Sequence, residues 1–304
     1  MGSQSFECPL CLSGSIAHYL ELPDRFQPDG ELYHLYRCRD CRLIFLHPRP
    51  GEGAMSRYYP AGEYDPFLET GAAVSAAQKL YRFVKPMSLR GKARLAEKLF
   101  TKPGSLLDVG AGSGAFLRVM RVRGWEVYGV EKDAVAAAYG RDKLGLTIFT
   151  GDLCEAGEYS TAFDAVTFWH SLEHIHRLKE NMQRVKRLVK PGGKLMIALP
   201  NPESWEAGFY RRYWAAYDAP RHLWHFPPQT LKDWLIREGW CFIAAKPLLW
   251  DPFYICLLSE GMIKGRLRLM RMVFRLPGAA LFSFTFGWFF HYKASSLVYV
   301  FSKE

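Results

Sequence analysis

Three groups of side chains in this 304-residue chain have types and spacings suited to chemistry. The first is residues 106–115, LLDVGAGSGA, an apolar run with Asp108 followed by Gly110, Gly112 and Gly114 at alternate positions. Such glycines let the backbone turn sharply and approach a nucleotide-like cofactor closely. With Ala115 the loop also satisfies the dinucleotide pattern G-x-G-x-x-A, and Asp108 separates the two readings. A carboxylate two residues before the first glycine would repel a bound pyrophosphate. S-adenosylmethionine has no phosphate, and its ammonium and sulfonium favour a nearby acid. Glu131, at the end of the next apolar run, is placed to accept ribose hydroxyls, as an acid does in either cofactor class.

The second group is Cys8, Cys11, Cys38 and Cys41, two C-x-x-C pairs separated by 26 residues. Each pair brings two thiolates to one metal from a tight turn, and the two together complete a tetrahedral, closed site for structural zinc. Disulfide pairing is the competing use of the same thiols. Cys154, Cys241 and Cys256 stand in apolar surroundings and read as small buried hydrophobes. The third group is histidine-rich. WHSLEHIHR carries His170, Glu173, His174 and His176, and YDAPRHLWHF carries Tyr217, Asp218, His222 and His225. Either cluster could supply a general base, with His170, His174, His222, His225 and Tyr217 as candidates. His170 and His174 have i, i+4 spacing, but the zincin pattern H-E-x-x-H is absent.

The elements that must position these groups follow from periodicity. Strands are expected at 105–109, 126–130, 146–150, 163–168, 194–199, 240–246 and 296–301, with helices at 116–123, 134–143 and 177–189 among those between them. Pro191, Gly192 and Gly193 read as the turn into the fifth strand. This alternation specifies an α/β fold with a mostly parallel sheet, helices on both faces and the ligand at the carboxyl ends of the strands.

LLDVGAGSGAFL, GVEKD, GDL, FDAVTFWHSLEHI and VKPGGKLMIALPN, in this order and spacing, resemble the successive motifs of class I S-adenosylmethionine-dependent methyltransferases. The likeness covers about residues 88–250 plus the last strand. It implies a doubly wound Rossmann-like sheet of seven strands, the last antiparallel. It also implies that Asp108, Gly110, Ala111, Gly112, Gly114, Glu131, Lys132, Asp152, Leu153, Trp169 and His170 surround the cofactor. Within that set, Glu131 would bind the ribose, Asp152 the adenine amino group and Leu153 the ring, while residues 168–170 would face the methyl group. The four-cysteine ribbon and DAPRHLWHFPPQTL look like the branch that pairs a zinc module with the methyltransferase domain, some of whose members methylate nucleotide-linked deoxysugars. The expected acceptor is therefore a small molecule, sugar-, nucleotide- or lipid-linked. A protein or nucleic-acid methyltransferase with the ribbon as recognition module is the alternative, and a catalytically silent cofactor-binding protein a third.

The expected division is residues 1–50 as zinc ribbon, 51–87 as linker and helical segment, and 88–304 as the methyltransferase domain, with 251–293 inserted. Trp205, Tyr210, Tyr213, Trp214, Tyr217 and Trp224 are expected to wall the acceptor pocket. A net charge of +10 favours an anionic acceptor or surface, although Arg37, Arg39 and Arg42 alone make no clear nucleic-acid footprint. The start MGSQSFECPL lacks a basic then apolar leader, and the apolar run 276–290 is short and contains Pro277, so a cytoplasmic location is expected. Lys264, Arg268, Arg271 and Arg275 form a basic helical stripe beside Ile263, Leu267, Met270 and Phe274. The favoured reading of this segment is a lid or homodimer contact, and the alternative is peripheral membrane contact through 260–290.

Overall fold

Apolar runs bounded by turn residues become strands throughout the chain. The computed structural model describes residues 6–59, 76–157, 159, 162–263 and 275–304. By its own contacts the chain divides into two compact units, each drawn from separate stretches. One comprises 59–199, 238–245 and 298–304, and the other comprises 1–58, 200–237 and 246–297. These units cut across the linear boundaries at 50 and 88, because pairing partners in the second unit lie far apart in sequence.

The first unit holds β4 (Ser105–Val109), β5 (Glu126–Glu131), β6 (Thr147–Thr150), β7 (Phe163–Trp169), β8 (Val189–Pro200), β10 (Trp240–Pro247) and β11 (Ser296–Lys303). They form one seven-stranded sheet in the order β10-β11-β8-β7-β4-β5-β6, mostly parallel with the last strand antiparallel. All five residues of β4 are buried, as a central parallel strand covered on both faces requires. The covering helices are α1 (Ala76–Glu97), α2 (Ala115–Val122), α3 (Ala134–Leu144) and α4 (Leu178–Leu188). On α4 the buried residues Leu178, Met182, Val185 and Leu188 form the core-facing stripe. The expected turn at 191–193 instead lies within β8, which begins at Val189, with Gly192 at φ 73°.

The second unit is built on a four-stranded sheet of β1 (Ile16–Asp24), β2 (Gln27–Cys38), β3 (Ile44–Leu46) and β9 (Trp224–His225), in that order. The two-residue β9 pairs antiparallel with β3, Ile44 opposite His225 and Phe45 opposite Trp224. Its helices are α5 (Trp205–Tyr210), α6 (Pro228–Arg237), α7 (Asp251–Met262) and α8 (Leu276–Phe289). Arg221 is wholly buried and ties the β1–β2 hairpin to the 218–225 segment. Its guanidinium donates to Asp24 at 2.7 and 3.2 Å and to Asp218 at 2.7 and 3.0 Å. Arg25 lies 3.0 Å from the same Asp218 oxygen. Burial would raise the Asp218 carboxyl, but Arg25 and Arg221 hold it well below the usual carboxylate range. Most of the expected basic stripe, 264–274, lies outside the described residues. Among the described residues no helix is long and apolar enough to cross a membrane.

Candidate functional site

The glycine loop joins β4 to α2, and its conformation explains its composition. Gly110, Gly112 and Gly114 have φ of 78°, 54° and 81°, a region that favours glycine. At Gly110 a Cβ would also stand 2.3 Å from the Ser171 Cβ. At Gly112 a Cβ would meet nothing within 4 Å, so this turn faces open space. The loop is fixed to β5 from below, since the Gly110 and Ala111 N–H groups both donate to the Val130 carbonyl, at 2.8 and 3.0 Å.

Three carboxylates end the neighbouring strands. Glu131 closes β5 and accepts from the Gly112 N–H at 2.7 Å and the Asp133 N–H at 2.8 Å. Burial pushes its carboxyl above the ordinary value, although those N–H groups oppose the shift. Asp108, on β4, is buried and accepts from the Thr167 hydroxyl at 2.6 Å. Burial pushes Asp108 up to about 7, with Thr167 and Lys92 pulling it down and Glu131 pushing it further up. Asp152 follows β6. Burial would raise it, but the Cys154 N–H, the Lys132 ammonium 3.4 Å away, Asn181 and Arg177 hold it below its ordinary value. Leu153 beside it is buried.

At the end of β7, Trp169 is buried with its ring edge against Phe116, and the Lys92 ammonium sits 4.9 Å over it. Among the described residues the Trp169 indole N–H has no acceptor. His170 adopts φ 57°, with its N–H donating to Ala198 at 3.1 Å. Its Nδ1 lies 3.6 Å from the buried Glu173 carboxylate. His174 Nδ1 lies 3.2 Å from the Tyr59 hydroxyl. These observations fit a cationic nucleoside. The acids favour a cation, a Cβ at Gly112 would meet nothing within 4 Å, and the Trp169 N–H has no acceptor among the described residues. Thr167, Ser171, Asn181 and Lys92 are working parts of this arrangement that sequence reasoning missed, because no local motif marks them.

Tyr217, His222 and His225 belong to the other unit. The Tyr217 hydroxyl is 3.1 Å from that of Tyr19, and burial pushes the phenol upward. His222 Nδ1 donates to the Ala216 carbonyl at 2.8 Å, and His225 packs edge-on against Tyr217. Of the aromatic residues expected to wall an acceptor pocket, Tyr210, Trp214, Tyr217 and Trp224 are buried in this unit's core. Tyr210 donates to Glu260 at 3.1 Å.

The same unit brings the four N-terminal cysteines together. Cys8 and Cys41 sulfurs are 3.5 Å apart, Cys11 and Cys38 are 3.6 Å apart, and all four lie within 4.8 Å of one another. Four thiolates at about 2.3 Å from one tetrahedral ion would stand about 3.8 Å apart, so this donor set fits zinc. All seven cysteines are free thiols. The residue after each pair, Leu12 and Arg42, is left-handed at φ 64° and 66°, which closes the two knuckle turns alike.

Residues 78–244 match the family described as a methyltransferase domain. Over 184 residues the chain is 28% identical to the ubiquinone biosynthesis O-methyltransferase of Xanthomonas oryzae pv. oryzae, covering 56% of this chain and 77% of that protein. Over 108 residues it is 28% identical to the demethylmenaquinone methyltransferase of Corynebacterium glutamicum, covering 35% of this chain and 46% of that protein. In fold it is similar to the magnesium protoporphyrin IX methyltransferase of Synechocystis solved with bound S-adenosylhomocysteine (SAH). The TM-score is 0.56 at 12% identity, covering 84% of this chain and 100% of that chain.

Proposed function

The chain belongs to the methyltransferase-domain family and is an S-adenosylmethionine-dependent methyltransferase, and from this premise we propose which residues serve the transfer and what accepts the methyl group. The carrying observation is that three acids stand at or just beyond the carboxyl ends of three adjacent parallel strands: Asp108 on β4, Glu131 at the end of β5 and accepting from the Gly112 N–H, and Asp152 after β6. Glu131 would take the ribose hydroxyls and Asp152 the adenine amino group, with Leu153 against the ring. Asp108 would favour the cationic amino-acid end. The bound cofactor supplies an activated methyl on a sulfonium, so the protein's work is alignment and, for a hydroxyl acceptor, proton removal. The likeness to relatives named O-methyltransferases supports a small-molecule hydroxyl as acceptor. His170, held by its backbone and facing the Glu173 carboxylate, would be the base, with Glu173 orienting it.

Calorimetry separates these roles. SAH should bind and NADH should not, and Glu131→Ala should weaken SAH at least tenfold, about 1.4 kcal/mol. His170→Ala should leave SAH affinity near wild type and lower turnover by about two orders of magnitude or more once an acceptor is in hand. Tight NADH binding without any response to SAH would overturn the assignment.

The four cysteines would hold one structural zinc, because four thiolates leave no open coordination position. The inserted segment would rest on an anionic lipid surface. Trp288, Phe289 and Phe290, at the end of α8, are 57%, 77% and 57% exposed. Between Glu260 and Glu304 there is no Asp or Glu, while Lys264, Arg266, Arg268, Arg271, Arg275, Lys293 and Lys303 stand there. Aromatic side chains with cationic neighbours suit the headgroup region. The chain should sediment with phosphatidylglycerol vesicles at low salt, less at moderate salt, and not with phosphatidylcholine. A soluble dimer that ignores anionic vesicles would assign this face to a second copy.

A further inference from the structure

The β1–β2 hairpin carries a second cluster of ligating side chains, which the methyl-transfer reading does not use. His18, Glu21 and His34 bring one ligand atom each to within 4.8 Å of the others. The Glu21 Oε1 lies 3.8 Å from His18 Nε2 and 3.5 Å from His34 Nδ1. Side chains three apart on a regular strand point to opposite faces. Here the register shifts between His18 and Leu20, so that His18 pairs with Tyr36 while Leu20 pairs with Leu35 and Glu21 with His34. That irregularity admits an extra residue and returns His18 to the face of Glu21. His34 and Tyr36, two apart on β2, share it. The Tyr36 ring meets the His18 imidazole edge-on, with centroids 5.6 Å apart, and so braces it.

We propose that His18, Glu21 and His34 form a surface binding site for a late first-row divalent cation such as Zn²⁺, Ni²⁺ or Cu²⁺. Two imidazoles and one carboxylate are the donor set these ions favour over Mg²⁺ or Ca²⁺. An ion held at about 2.0–2.2 Å needs its ligands about 3–3.5 Å apart. The three side chains are 48%, 50% and 39% exposed, so small rotations close the remaining distance without moving the backbone. Three protein ligands leave coordination positions for water or for a donor from another molecule, unlike the closed four-cysteine set. A pair of exposed His–Glu contacts alone would be worth little to stability, and so does not account for three such groups gathered on one face by an irregular register.

The test uses the full chain, with zinc first brought to the content of the four-cysteine site and verified by metal analysis. Titration with Ni²⁺ should then show one further saturable equivalent. His34→Ala and Glu21→Gln should each weaken it at least tenfold, while the zinc content and the thermal unfolding temperature stay at wild-type values. Cu²⁺ bound in the same place should give an electron paramagnetic resonance spectrum with coupling to two imidazole nitrogens. No saturable Ni²⁺ binding, or equal binding in His34→Ala, would overturn the site.

Discussion

Affinity for S-adenosylhomocysteine should rise about tenfold per pH unit from about pH 5 to about pH 7 and level off above. The cause is Asp108, which is 2% exposed and whose carboxyl is pushed up to about 7, chiefly by burial. Below that pH the free protein carries a proton on Asp108. A ligand whose ammonium favours the carboxylate must displace this proton, at about 1.36 kcal/mol for each pH unit. Two units therefore amount to about a hundredfold in affinity. For folding the sign is reversed. Because the folded-state value is raised, the native protein binds the extra proton, so this contribution to stability is complete below the ordinary carboxylate range and is lost as pH rises through about 7. The ligand-free protein should thus become less stable over the same window in which it binds more tightly. Calorimetry across pH checks the first statement and thermal unfolding the second. Asp108→Asn should flatten both slopes, and an unchanged slope in that variant would assign the titration to another group.

Loss of one knuckle thiol should have a larger effect. In Cys38→Ser the zinc content should fall from one per chain toward zero, and hydrogen-exchange protection should collapse across β1–β3. Structural zinc sites contribute on the order of 10–16 kcal/mol of apparent binding free energy to small modules, far more than a three-residue β3 and its neighbours can replace. SAH binding should persist, since Gly110, Glu131 and Asp152 belong to the other unit. Cys154→Ser should keep its zinc. Zinc content at the wild-type level in Cys38→Ser would remove the metal from the account.

Much of the catalytic unit was legible because its signals are local. The run 105–109 becomes β4 with the expected bounds, and the glycine spacing of 110–114 matches three residues at positive φ. Glu131 ends β5, where alternation of strand and helix puts it, and Asp152 just beyond β6 is marked by the likeness to methyltransferase motifs. Partners contributed by distant segments were not legible. Thr167 beneath Asp108, Ser171 against Gly110 and Asn181 on Asp152 belong to neighbouring strands or helices and have ordinary identities. Arg221 reads as one more surface cation until Asp24, almost two hundred residues earlier, is seen to pair with it. The turn expected at 191–193 falls inside β8 because Val189 already pairs with Phe163, but the ladder then skips to Lys194 opposite Ala165, so 190–193 lie in the register shift of β7 and β8.

The pairing of β9 with β3 carries a consequence for the order of events during synthesis. The residues that close the N-terminal sheet, Trp224 and His225, leave the ribosome long after Ile44 and Phe45. At about 5–20 residues per second the delay is on the order of 10–35 s. During that interval Arg221 has not been made, so Asp24 lacks the cation it will be buried against. All four thiols of the zinc set, by contrast, are available once residue 41 has emerged. A zinc bound there, as proposed, would hold residues 8–41 together while the strand partner of β3 is still being translated. Chains made without that zinc would pass through the interval with neither the metal nor Arg221 to hold the hairpin.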